Sequence, residues 1–319
     1  MNTALHVLRR ALLAIGVFAA MAVLTFLGVE ALPGDACTSL LGRAATPEKL
    51  AQCREENGLN EPVLSRLGDW AGDLLHGDLG YSIKRSAPVG EIIAPRLRNS
   101  LLLAGVAALL AFPTAVVLGM YSARRRGTKR ARAIDTTGLV LMTLPEFVTA
   151  SVLWLVLSIW LPILPGVTVL PSNATIAEIM PSVWLPAITL ALLVFAHVMR
   201  SMRASVVATS SRPFVDAARY RGVQERTVMR RHVMPAALPP AVNVMAVTAA
   251  WLLTGTFVVE VVFNYPGLGR LAVDAISDRD TSLILALTLF GLAVFILSSF
   301  ISDTVTRMLD PRVRAGLGA

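Results

Sequence analysis

Six stretches of 18 to 24 residues, nearly free of charged side chains, punctuate this sequence: 11–31, 100–121, 138–161, 182–199, 240–263 and 283–302. An α-helix rises about 1.5 Å per residue and the hydrocarbon core of a bilayer is about 30 Å thick, so about 20 apolar residues make one crossing. Helices keep all their backbone hydrogen bonds inside one segment, which lipid demands. The expected fold is therefore all-α: a polytopic membrane protein with six transmembrane helices. Only 16% of the residues are charged, against about a quarter in a soluble chain. Pro113 lies inside the second run and is expected to kink it. The first run is longer than the apolar part of a cleavable signal peptide and is expected to persist as a span.

The charge balance is +8, but its location excludes nucleic acid as the partner. The basic residues sit in short connectors between apolar runs, where they orient a membrane chain. Arg9 and Arg10 precede the first run. The second connector holds Arg124, Arg125, Arg126, Lys129, Arg130 and Arg132. The fourth is the richest, and Arg307, Arg312 and Arg314 follow the last run. The third and fifth connectors carry only Arg270 and Arg279. This bias places both termini and connectors two and four in the cytoplasm. Trp160 and Trp184 flank the third connector, as in an outer aromatic belt.

The domain plan is then a cytoplasmic N-terminus with the first span (1–31), an extracytoplasmic segment (32–99), and a core of five spans (100–319). The outer segment shows short amphipathic helix patterns at 47–57 and 62–75, separated by Gly58 and Asn60. A cap on the outer rim is expected. Both cysteines, Cys37 and Cys53, lie there. In an oxidising exterior they can pair, and the spacing alone leaves both a disulfide and two thiols open.

Catalytic signatures are missing. There is no phosphate-cradling GxxxxGK[ST], no HExxH, no GxSxG and no GxGxxG. The four histidines, His6, His76, His197 and His232, show no metal-ligand spacing. No metal and no cofactor are expected. Carboxylates at membrane depth point to transport paths more often than chance allows. Glu146 and Glu260 are the candidates; Glu30 and Asp303 fall near interfaces. For Glu146 and Glu260 the lining of a polar translocation cavity competes with a structural hydrogen bond between helices or subunits, and the structural reading is favoured.

The fourth connector, about 200–239, carries the most information. Pro213 suits the first turn of a helix, where its missing N–H costs nothing. Asp216 falls in the same turn, where its charge favours the helix N-terminus. Phe214, Ala217, Ala218 and Arg221 are spaced to share a face, and Gly222 is free to adopt the left-handed backbone that ends a helix. A second short helix from Gln224 to His232 is expected to run to Pro235. The small Ala217 and Ala218 would let another protein approach closely.

Asp216-Ala217-Ala218, then Gly222, then Pro235 resemble the EAA signature of ABC-importer permeases. Further stretches resemble the B-type permease of the dipeptide/oligopeptide importer family: Leu32-Pro33-Gly34-Asp35, Gly77-Asp78-Leu79-Gly80-Tyr81-Ser82, Leu144-Pro145-Glu146-Phe147, Pro266-Gly267-Leu268-Gly269 and Leu309-Asp310-Pro311-Arg312. Asp216 departs from the usual Glu by one methylene, and His232 stands where the broad motif has an aliphatic residue. The resemblance implies a type I, MetI-like importer fold and a non-catalytic permease subunit that imports peptides. It implies a second homologous permease, two ATPase subunits that bind the ATP and Mg, and an extracytoplasmic substrate-binding protein. Phe214, Asp216, Ala217, Ala218, Gly222, His232 and Pro235 would couple to the ATPase. The turn Pro266, Gly267, Leu268 and Gly269 would either reach the binding protein or serve as a plain structural turn. Alternatives are nickel complexes or sugars as cargo, or a stand-alone secondary transporter, which would need internal symmetry that the sequence does not display.

Overall fold

The computed structural model describes residues 3–31, 34–254 and 256–309. The fold is helical: α1 (Thr3–Glu30), α2 (Ala36–Leu41), α3 (Pro47–Glu56), α4 (Val63–Leu75), α5 (Val89–Arg124), α6 (Lys129–Thr143), α7 (Glu146–Trp154), α8 (Ile176–Ser210), α9 (Pro213–Tyr220), α10 (Glu225–Thr227), α11 (Met234–Thr254), α12 (Phe257–Val262), α13 (Leu268–Asp278) and α14 (Thr281–Leu309). The described strands are a two-residue hairpin, β1 (Tyr81–Ser82) and β2 (Ala87–Pro88), in antiparallel register. Two compact units emerge. The first takes the chain up to Asn99, Pro171–Asn173 and Pro266–Ile296; the second takes the remainder.

In the first unit, local chemistry decides each short element. Asp35 caps α2 by accepting from the Thr38 N–H at 2.8 Å, and the Thr38 hydroxyl reciprocates at the Asp35 N–H. The other Asp35 oxygen holds Arg54 of α3 at 2.6 Å, and Cys37 is joined to Cys53. Helix α4 is pinned to the end of α1 by Arg66–Glu30 at 2.7 Å and by Trp70 against Phe26, ring centres 5.6 Å apart. Helix α13 packs Leu268, Leu271 and Ala275 onto Val89, Ile93 and Leu283. The Ser82 hydroxyl donates to the buried Asp280, and burial, only partly offset by Ser82 and the Leu283 N–H, holds that carboxyl above its usual range.

The second unit is built around α8, most of whose central side chains are buried. A stripe of small residues on α5, Ala107, Ala111 and Ala115, together with Leu103, shares one core with Ile179, Val183, Leu190 and Val194 of α8. Small residues let apolar helices approach closely where water gives no drive to associate. The approach is tightest at Gly119, where an added Cβ would lie 2.6 Å from the Met199 carbonyl oxygen. Ser122 of α5, Asp135 of α6 and Arg203 of α8 form a polar clamp. Asp135 accepts from Ser122 at 2.5 Å and from Arg203 at 3.0 Å.

The spans differ from expectation in detail. By length and composition, Leu12–Glu30, Val89–Arg124 and Ile176–Ser210 are long and apolar enough to cross a membrane. The expected third span, 138–161, is broken: α6 ends at Thr143 and α7 starts at Glu146 after a bend of 109°. Pro145 is the cause, because it has no N–H to continue the helix and pushes Leu144 to an extended backbone, ψ 130°. Counting that pair as one, up to four spans pass this test among the described residues, and Thr281–Leu297 is a further, shorter apolar helix, so the expected count of six is not reproduced exactly. The expected fifth and sixth runs fall on α11 with α12 and on α14. Helix α5 begins eleven residues before the apolar run it contains, at Val89, and stays continuous through Pro113. The motif residues Leu32-Pro33 and Asp310-Pro311-Arg312 lie outside the described residues.

Candidate functional site

The connector between α8 and α11 folds into a compact elbow. After α8, Ser211 and Arg212 leave the helix, and Pro213 opens α9 as its first residue. Asp216 lies in that first turn. The helix ends at Arg221, and Gly222 takes φ +75°, a left-handed backbone that costs other residues about 1–2 kcal/mol. From Gln224 the chain re-enters helix. Helix α10 is a single turn, and residues Val228–Val233 widen into a π-helical turn that runs directly into α11. The expected stop at Pro235 does not occur. Its ring would press on the carbonyl four residues back, Arg231, and that carbonyl lies within the widened turn, which gives the ring room.

Two faces result. Val215 and Ala218 are buried with Val228, Met229 and Val233 against Met202 and Val206 of α8. Phe214, Ala217, Tyr220 and Arg221 are exposed, Tyr220 at 91%. This corrects one expectation. Ala218 packs into its own chain, so of the two alanines only Ala217 is exposed. His232 is half-buried and Pro235 exposed.

The spacing argument also passed over Arg219. Its guanidinium makes a two-pronged bond with Glu225 at 3.1 and 3.2 Å, reaches Asp216 at 3.2 Å, and donates to the Ser210 carbonyl at 3.2 Å. One side chain thus ties the end of α8 to α9 and α10. The bonds to Glu225 come first among the influences that push the Arg219 pKa further up, so the charge is permanent. The signal was present in the sequence: Arg219 follows Asp216 by three residues and precedes Glu225 by six.

The other candidate residues separate. Glu260 is fully buried and accepts from Ser100 at 2.6 Å and from Thr256 at 2.9 Å. It sits enclosed within its own chain, between α5 and α12. Glu146 begins α7 at the bend, and its Oε2 is buried without a hydrogen-bond partner, as is the Thr149 hydroxyl one turn on. Pro266, Gly267, Leu268 and Gly269 are all buried. The Pro266 carbonyl accepts from Asn99 at 2.9 Å and Leu268 joins the core, so these four residues are enclosed within their own chain. Among the described residues, no group of three or more His, Cys, Asp or Glu side chains is placed to hold a metal.

The solved structure of an amino acid ABC transporter has the same fold, with TM-score 0.51 and 17% identity, covering 67% of this chain and 94% of that one. An inward-facing methionine transporter, MetNI, matches with TM-score 0.50 over 68% and 97%. The chain belongs to the family of binding-protein-dependent transport system inner membrane components, whose model matches residues 115–315; the family's N-terminal model matches 4–104. It is 31% identical over 314 residues to the oligopeptide transport system permease protein AppB of Bacillus subtilis, spanning 97% of this chain and 99% of that protein.

Proposed function

We propose that this chain is the peptide-conducting permease subunit of an ATP-driven importer. It would pair with a second, similar permease, sit above two ATPase subunits, and receive peptide from an extracytoplasmic binding protein. The name of the Bacillus relative supports peptide as the cargo. The observation that carries the reading is the elbow, a stapled block with Phe214, Ala217, Tyr220 and Arg221 outward and its own core inward. Such a block transmits a push without deforming. ATP-driven closure of the ATPases would move it, and with it α8 and α11, in a rigid-body switch between inward-open and outward-open states. The subunit itself performs no chemistry; ATP and Mg belong to the partners.

The orientation follows the charges. The elbow and the arginine-rich 124–132 connector face the cytoplasm, and the disulfide-bearing segment faces the oxidising exterior. Glu146, left with an unpaired buried oxygen at the helix break, is the carboxylate we assign to the path. The test is a cysteine at Tyr220 in the assembled complex. It should cross-link to the ATPase in high yield and be labelled by impermeant maleimide only in inverted vesicles. Labelling from the outside, or cross-links to everything except the ATPase, would remove the proposal.

A further inference from the structure

A groove along α6 has no role in the coupling scheme. In the second unit a cavity of about 530 Å³ lies between α5, α6 and α8, walled by apolar side chains such as Leu118, Leu192 and Phe195. Another, of about 570 Å³, runs over the surface of α6 and is rimmed by Lys129 and Arg132. The two share Ala133, Thr137 and Leu141, so they adjoin along α6 as one groove, the second with a basic rim and the first with an apolar lining. No carboxylate lines either part. From Lys129 to Leu141 the helix rises about 18 Å. One leaflet's share of the hydrocarbon core is about 15 Å.

The basic rim is electrostatically odd. Lys129 and Arg130 open α6 and Arg132 follows within its first turn, with no acidic residue there. Cations at a helix N-terminus oppose the helix dipole. The need for a cytoplasmic positive charge explains basic residues in this connector, but any position in it would serve. Orientation therefore does not explain their placement on the helix start above an apolar trough. An anion does: the helix N-terminus and the two side chains would then all face the same negative charge. Among the described residues, neither the Lys129 nor the Arg132 side chain makes a hydrogen bond or ion pair within the chain.

We propose that this groove holds one acidic phospholipid of the inner leaflet. Its phosphate would sit at Lys129 and Arg132, and an acyl chain would lie against Ala133, Thr137 and Leu141. The leaflet assignment rests on the cytoplasmic placement of the 124–132 connector proposed above; the groove and its charge do not. The test uses the full transporter complex in detergent, titrated with phosphatidylglycerol or phosphatidylcholine and read by native mass spectrometry. Wild type should retain one phosphatidylglycerol in preference to phosphatidylcholine. K129A/R132A should weaken that binding about thirtyfold, some fivefold for each charge removed. R125A/R126A, in the same connector but outside the groove lining, should leave it unchanged. T137W should reduce it by filling the trough without touching the charge.

Equal affinity in wild type and K129A/R132A, or no preference between the two lipids, overturns the proposal. So does a map of the assembled complex with a helix of the second permease lying along residues 133–141. A cysteine at Arg126 labelled from outside would overturn the inner-leaflet assignment alone, and the phosphatidylglycerol titration distinguishes that failure from loss of the site.

Discussion

Replacing Arg219 by alanine should uncouple the transporter without unfolding it. The side chain makes a forked ion pair with Glu225, a second pair with Asp216 and a charged bond to the Ser210 carbonyl. All three groups are partly exposed, with side-chain accessibilities of 36–56% for the charged ones. Each such pair therefore contributes only ~0.2–1 kcal/mol after solvent screening, and the carbonyl bond about 1 kcal/mol. The staple then contributes about 2 kcal/mol to holding α9 and α10 onto the end of α8. Losing it raises the population of loosened elbows roughly thirtyfold. The buried contacts of Val215, Ala218 and Val228 remain, so the complex should still assemble. In proteoliposomes, peptide transported per ATP hydrolysed should fall several-fold while basal ATP hydrolysis persists. Arg219→Lys should rescue partially, because one ammonium cannot make the forked bond. A double-mutant cycle with Glu225→Ala should show strong non-additivity. A transport-to-ATP ratio within twofold of wild type in the assembled R219A complex would refute the staple as a coupling element.

Two glycines that both meet Met199 of α8 should respond differently. Gly119→Ala places a Cβ against the fixed Met199 carbonyl and should cost ~1–3 kcal/mol, whereas Gly138→Ala meets only the mobile Met199 methyl, 2.4 Å away, and should cost less; thermal unfolding in detergent ranks them. Gly222→Ala meets no neighbour within 4 Å, so any loss of stability, about 1–2 kcal/mol, should come from its positive φ, and Gly222→Asn should be milder. At Asp35, burial favours the protonated form, but the Thr38 N–H and the Arg54 guanidinium outweigh it and hold the carboxyl below 3.8. Its contribution is present above that value and fades as pH falls through the lowered one. Asp35→Asn should therefore flatten the acid limb of the outer segment's unfolding curve. Asp280, shifted upward, has the opposite sign: what it contributes is present at low pH and lost as pH rises through its raised value.

The legible parts of the fold were those fixed by local rules. Pro213, Asp216 and Gly222 act within one turn of themselves, and the elbow's start and end followed from them. The pattern at 47–57 and 62–75 became α3 and α4 for the same reason. What escaped was either averaged away along the chain or set by distant neighbours. Composition reads 138–161 as one apolar run, because hydropathy averages over Pro145 and does not weigh the bend it imposes. The π turn at Val228–Val233 has no period of its own to detect, and it abolished the stop expected at Pro235. Ala218 was assigned to the outer face because helical spacing says which residues neighbour each other, not which side meets the protein. The Pro-Gly-Leu-Gly turn has the composition of an exposed loop, yet Asn99, 167 residues earlier, draws it inside.

The two membrane carboxylates show why depth alone does not mark a transport path. Glu146 and Glu260 look alike in sequence, each in an apolar run. Burying a charge in apolar surroundings is costly unless donors meet it. Glu260 has them: two hydroxyls, one from α5 and one a single turn back, so its burial binds helices together. Glu146 has one oxygen out of solvent with no donor, beside a threonine hydroxyl equally alone, at a proline break in the helix. Natural interiors rarely leave such pairs unmatched. Replacing Glu260 with glutamine should therefore lower the yield of folded protein and leave the transport rate per folded complex near wild type. Glu146→Gln should do the reverse, keeping yield and changing the transport rate. If E146Q transports every tested peptide as wild type does, the unmatched oxygen has no part in the path, and a bound water or a neighbouring subunit satisfies it instead.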